Sequence, residues 1–143
     1  MRKIIFTGSD GALSIVHPVR NTLGETLTTD AEIEQRAWDK LPEDAINPQF
    51  VEADTIPTDR TFRNAWEDNG GINVNMPKAK DITKDRLRAE RKPLLEAQDI
   101  AFQRAQETGA DTSAIVKEKQ RLRDVTKRVD ALTSLDELKA LGI

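Results

Sequence analysis

A chain of 143 residues, 37% hydrophobic and 33% charged, is long enough for one domain or for a small domain with a helical extension, and too polar for one core that uses every residue. It has no cysteine and a single histidine, His17, which excludes disulfides, thiolate metal sites and cysteine nucleophiles and removes most imidazole-based metal and acid–base designs. The net charge of −3 hides a split: residues 1–77 carry 7 Lys and Arg against 13 Asp and Glu (−6), residues 78–128 carry 14 against 9 (+5), and residues 129–143 carry 1 against 3 (−2).

An acidic head followed by a basic stalk favours head-to-stalk contact between copies, or contact between the stalk and nucleic acid. At the start, Ile4, Ile5 and Phe6 form the only apolar run, far short of a signal-peptide core or a membrane span of about 20 residues. A soluble protein made in a reducing cytoplasm, with no membrane partner, is therefore expected. KIIFT and ALSIVH flank Gly8-Ser9-Asp10-Gly11 and predict a β-hairpin. His17 follows Leu13 and Ile15 at alternate positions and falls at the hairpin's margin, with no second imidazole or thiol to complete a site.

Thr29 and Glu32 have the spacing of a capping box, opening an amphipathic helix in which Ile33, Ala37 and Leu41 recur every four residues. Pro42 and Pro48 end it and bracket a loop, and Gln49 to Ala53 is a candidate strand that closes before Pro57. In PTDRTFRNAWE, residues 57–67, Thr58 or Asp59 is placed to cap a helix of two to three turns. Phe62 and Trp66 then stand one above the other on one face. Asp68-Asn69-Gly70-Gly71 breaks that helix, and Ile72, Val74 and Met76 alternate with asparagines as in a half-buried strand.

Beyond Pro77 the composition becomes helical. Leu87, Leu94 and Ala101 repeat every seven residues, supported by Leu95, Phe102 and Ala105, while Pro93 predicts a kink or a break. Gly109 and Asp111 supply a helix stop and a new cap. Ile115, Leu122 and Val129, with Val125 and Leu132 at the alternate seam positions, form a short heptad seam. Residues 78–132 thus read as an antiparallel, coiled-coil-like hairpin, with a single helix broken at Gly109 as the alternative. Ser134 to Glu137 launches a short final helix in which Leu135, Leu138 and Leu141 can pack on the hairpin. The class is α+β: a small head of hairpin, strands and short helices at 1–77, then a helical hairpin with a short terminal helix at 78–143.

Catalysis is not expected. No pair of carboxylates is held in defined relation, and GSDG and DNGG match neither phosphate-loop pattern, so no catalytic residue, cofactor or metal ligand is assigned. Nucleic-acid binding is the sharper rival, because Lys80, Lys84, Arg88 and Arg91 belong to a run of seven cations between 78 and 92 that offers possible phosphate contacts. Asp81, Asp85 and Glu90 interrupt it, and no aromatic lies within it for stacking. Phe62 and Trp66 are expected in the core, forming with Arg60 and Arg63 a joint between head and stalk. The packing residues of the hairpin are Leu87, Leu94, Leu95, Phe102, Ile115, Leu122, Val125 and Val129.

Residues 57–130 also resemble a group of small proteins encoded in the tail regions of tailed bacteriophages and prophages. Its members show a D-R-x-F-R-x-A-W segment, met here by Asp59, Arg60, Phe62, Arg63, Ala65 and Trp66. A helix of the form A-R-x-I-x-x-D-x-[LM]-R-x-x-R-x-P-x-L follows, met by Ala79, Ile82, Asp85, Leu87, Arg88, Arg91, Pro93 and Leu95. KEKQRLRDVT at 117–126 is similar to the R-x-x-L-R-D-[IV] ending of tail-fibre assembly chaperones and fibre-associated proteins. RKPLLEAQD at 91–99 is similar to their R-x-x-L-L-x-x-[ST]-D segment, with Gln98 in place of the hydroxyl. The resemblance implies a virion component of the tail, baseplate or fibre region, as a homo-oligomer or in complex with larger tail proteins. The alternative it implies is a fibre assembly chaperone absent from the finished particle.

Overall fold

The computed structural model describes residues 1–20 and 29–143. The fold is α+β, and the chain forms two compact units, Met1–Asn75 and Met76–Ile143.

In the first unit, β1 (Lys3–Thr7) is the central strand of a three-stranded antiparallel sheet, ordered β2-β1-β3, with β2 (Leu13–Val16) and β3 (Ile46–Val51) on its flanks. The β1–β2 turn is closed by Gly8 and Gly11, whose N–H groups donate to the Ala12 and Gly8 carbonyls at 2.9 Å. Gly11 has φ +77°, open to glycine at no steric cost. Register pairs Ile4 with Val16 and Phe50, and Ile5 with Ile15 and Gln49. Alternation therefore puts Ile4, Phe6, Val16 and Phe50 on one face and Ile5, Leu13, Ile15 and Val51 on the other. Both Ile4 and Ile5 are fully buried, so the sheet is covered on both sides.

The helix α1 (Asp30–Asp39) covers the first face. Its capping box forms as the sequence predicts: Thr29 Oγ1 accepts from the Glu32 N–H, and Glu32 accepts from the Thr29 N–H; Thr28 lies outside the described residues. Trp38 stacks on Phe50 with ring centroids 4.8 Å apart, and the Arg2 guanidinium lies 4.4 Å over the same Phe50 ring. The other face packs against Trp66 on a two-stranded ribbon, β4 (Trp66–Asp68) and β5 (Ile72–Val74).

Three expectations are corrected: the strand expected to include Met76 ends at Val74, with Met76 opening the helix that follows. The third strand begins at Ile46 rather than Gln49 and runs through Pro48, which an edge strand tolerates because one side of it needs no N–H donor. The stretch 57–67 does not form a helix of two to three turns. Asp59 accepts from its own Thr61 N–H and hydroxyl at 2.9 and 2.7 Å, a local bond that competes with helix. A 3-10 turn at Arg63–Ala65 follows, and Trp66 then enters β4, paired with Val74.

In the second unit, α2 (Met76–Glu107) is one helix of 32 residues that runs through Pro93 without a break. Pro93 lies on the exposed side, where water can take the carbonyl that the proline leaves without a donor. At its end the Ala110 N–H bonds the Ala105 carbonyl and the Gly109 N–H bonds the Gln106 carbonyl, with Gly109 at φ +68°. That is the Schellman arrangement, and it reverses the chain. The Asp111 carboxylate accepts from the Ser113 N–H and hydroxyl, starting α3 (Ser113–Asp124). The helix then tightens into a 3-10 segment, Val125–Ala131, and α4 (Leu135–Ala140) follows its Ser134 cap. Asp99 meets Lys119, Arg91 meets Leu122, and Lys84 meets Asp130, so the hairpin is antiparallel.

Candidate interaction surface

The residues expected at the joint separate by role. Trp66 is 2% exposed and sits with Ile5 and Leu13 at the centre of the core, with Ile56, Ile72 and Val74 around it. Phe62 is buried as well, but the two rings do not share a helical face. The Arg63 guanidinium lies 4.8 Å over the Trp66 ring and donates to the Leu13 carbonyl at 2.8 Å. Desolvation lowers its pKa, with the Arg60 charge adding to that. Arg63 is thus spent on holding the β1–β2 hairpin to the segment before β4, and Arg60 is exposed.

Among the described residues Glu34 is the most buried charged one, 6% exposed. It accepts from the Arg2 N–H at 2.6 Å and from Arg2 Nε and Nη2 at 3.0 and 2.7 Å. These bonds hold its carboxyl below the usual glutamate range. In the same unit is an apolar cleft of about 310 Å³, lined by Phe6, Val16, His17, Pro18, Ala37 and Leu41 among others. His17 lies exposed just past the end of β2. Desolvation, helped by Lys3 and Arg60, lowers its pKa below the ordinary imidazole value. Among the described residues no cluster of three His, Cys, Asp or Glu side chains is placed to hold a metal ion.

The cation run of α2 has a structural use that its sequence does not announce. Lys80 donates to the Asp130 carbonyl at 3.0 Å, in the last turn of the 3-10 segment. Arg86 donates to the Leu138 and Leu141 carbonyls at 3.1 and 2.7 Å, at the end of α4. Arg91 donates to the Leu122 and Arg123 carbonyls at 3.3 and 2.8 Å, where α3 ends. Helix C-termini present carbonyls with no partner of their own and carry partial negative charge, so these three side chains close the ends of the three later helical segments. Lys84 pairs with Asp130 and Arg88 with Asp85, both at 2.7 Å. The four residues proposed for phosphate contact therefore all have partners within the chain.

The predicted packing residues divide between a core and an outer face. Leu87, Leu122, Val125 and Val129 are buried, and Leu95, Phe102 and Ile115 are half-buried. Lys119 lies 5.1 Å over the Phe102 ring while pairing with Asp99. Leu94 is 44% exposed although it shares the heptad position of Leu87. Ile100 is 49% exposed, and Pro93 and Ala97 are exposed beside it, with Ala101 half-buried. At helical spacing these five residues form one apolar row on the half of α2 nearer the reversal. The stripe read from the sequence contains Leu94 and Ala101 but not Pro93, Ala97 or Ile100, and the exposure of Leu94 does not show there.

No family model, no curated protein and no solved structure matches this chain. Among the described residues, no helix is long and apolar enough to cross a membrane.

Proposed function

We propose that the chain is a non-catalytic structural protein of the tail, baseplate or fibre region of a tailed bacteriophage, acting by protein–protein packing through its helical hairpin. The observation that carries the packing reading is the apolar row of α2, with Pro93, Leu94, Ala97 and Ile100 exposed and Ala101 half-buried. Apolar surface of this kind on a regular helix is a contact face for another helix or groove. The viral setting rests on the resemblance of residues 57–130 to phage tail-region proteins. The internal bonds of Lys80, Lys84, Arg88 and Arg91 favour packing over phosphate binding, since a nucleic acid would have to displace them.

Mass spectrometry of purified virions tests the proposal: the peptide should be present in stoichiometric amount with the tail proteins. Its absence from particles, with accumulation in infected cells, would assign it instead as an assembly chaperone. Filter binding to nucleic acid should show no steeply salt-dependent affinity; a steep salt slope would replace both readings.

A further inference from the structure

The apolar row of α2 is complementary to itself about Ala97 in residue size and in the charges that flank it. Glu90, Leu94, Ala97, Ala101 and Arg104 follow the 4-3-4-3 spacing of a helix–helix seam. Reversed about Ala97, Glu90 falls opposite Arg104, Pro93 opposite Ala101, Leu94 opposite Ile100, and Ala97 opposite itself. We infer that this face is the two-fold interface of an antiparallel homodimer, in which α2 of one copy lies along α2 of the other. The inference rests on the packing reading above and names its partner as a second copy of this chain.

An isologous interface must be complementary to itself, each residue i meeting j while j meets i. The α2 face meets that demand in shape and in charge. A small residue stands at the centre and lets the helices approach closely. A large residue is placed against another on either side of it. Opposite charges close both ends, each seven residues, or about 10.5 Å, from the centre. The charges are available: Arg104 is exposed and its guanidinium makes no hydrogen bond or ion pair among the described residues, while Glu90 uses only Oε1, toward Arg86 at 3.0 Å. A different protein would need no such self-complementarity.

Sedimentation of the full chain at about 100 μM should show a dimer. Glu90→Arg and Arg104→Glu, each placing like charges at both ends, should weaken it roughly tenfold or more, and the double reversal should restore it. Ala97→Glu, which sets two carboxylates face to face on the axis, should leave a monomer with unchanged helicity at 222 nm, because position 97 is exposed and glutamate is a good helix former. A monomeric wild type, a dimer indifferent to Ala97→Glu, or a double reversal that fails to restore association would each overturn the inference. A monomer whose peptide is nonetheless stoichiometric in virions would overturn the dimer and leave the tail reading standing. A dimer absent from virions would do the reverse.

Discussion

The two units hold themselves together by different means. Met1–Asn75 covers both faces of a small sheet, placing Ile4 toward α1 and Ile5 toward Trp66, so few residues give a two-sided core. Met76–Ile143 has a thin seam of Leu87, Leu122, Val125, Val129 and Leu138, and relies on α2 cations to close the carbonyl ends of its other helical segments. A polar chain can thus complete a helical unit with side-chain-to-backbone bonds and still leave apolar surface uncovered for a partner. The first unit buries or half-buries its aromatics while Val19 and Ile46 stay exposed; the second leaves Leu94, Ile100 and Val116 outside.

Both tryptophans lie in the first unit, so their fluorescence reports on it, while ellipticity at 222 nm is dominated by the second. The largest effect is expected from Trp66→Ala, which empties the centre of the sheet–ribbon core. It should destabilise the first unit by about 3–5 kcal/mol, seen in Trp38 fluorescence. An equal loss in the 222 nm transition would show that the two units unfold as one. Leu122→Ala should cost about 2–5 kcal/mol in the 222 nm transition, and a fluorescence transition that shifts with it would blur the same distinction. Arg86→Met keeps the aliphatic stem and removes the donors to the Leu138 and Leu141 carbonyls. About 1–3 kcal/mol is expected, and hydrogen exchange should rise first in α4. An unchanged α4 would mean that Leu138 and Leu141 alone hold it.

The smallest effect is expected from Glu34→Gln. The folded pKa of Glu34 is lowered, first by the side-chain hydrogen bonds from Arg2 and then by the bond from the Arg2 backbone. The stabilisation is therefore complete above the ordinary glutamate pKa of about 4.3 and is lost as pH falls through the lower folded value. Glu34→Gln should flatten the acid limb of the fluorescence melts in that window and leave the acid response at 222 nm in place, because Asp124 and Asp130 are also held low in the second unit. An acid limb unchanged by Glu34→Gln would assign the pH sensitivity to other carboxylates.

Much of this was legible in the residues themselves. The Thr29–Glu32 box, the glycine-closed hairpin, the Gly109 reversal and the Ser134 cap are local devices, each settled by bonds within about five positions, so sequence suffices for them. The seam at Leu122, Val125 and Val129 was equally plain from its period. PTDRTFRNAWE misled because Asp59 turns back on its own backbone and because Trp66 gains more from β4 and the core than from another helical turn. The Asn69-Gly70-Gly71 segment before alternating Ile72 and Val74 was the available sign of a two-stranded ribbon there.

By itself the sequence determined the helix caps at Thr29 and Ser134 and the stop at Gly109, which residues are apolar at helical spacing, and that the charge is split along the chain. The tertiary structure decided which cations close which helix ends, which side of the α2 stripe α3 covers, and that the Phe62–Trp66 segment folds as turn and strand. The physical reason is one of range: caps and periods depend on neighbours a few residues away. The partners of Arg86 and Trp66, and the exposure of Leu94, depend on segments tens of residues distant, whose position only the packed chain defines.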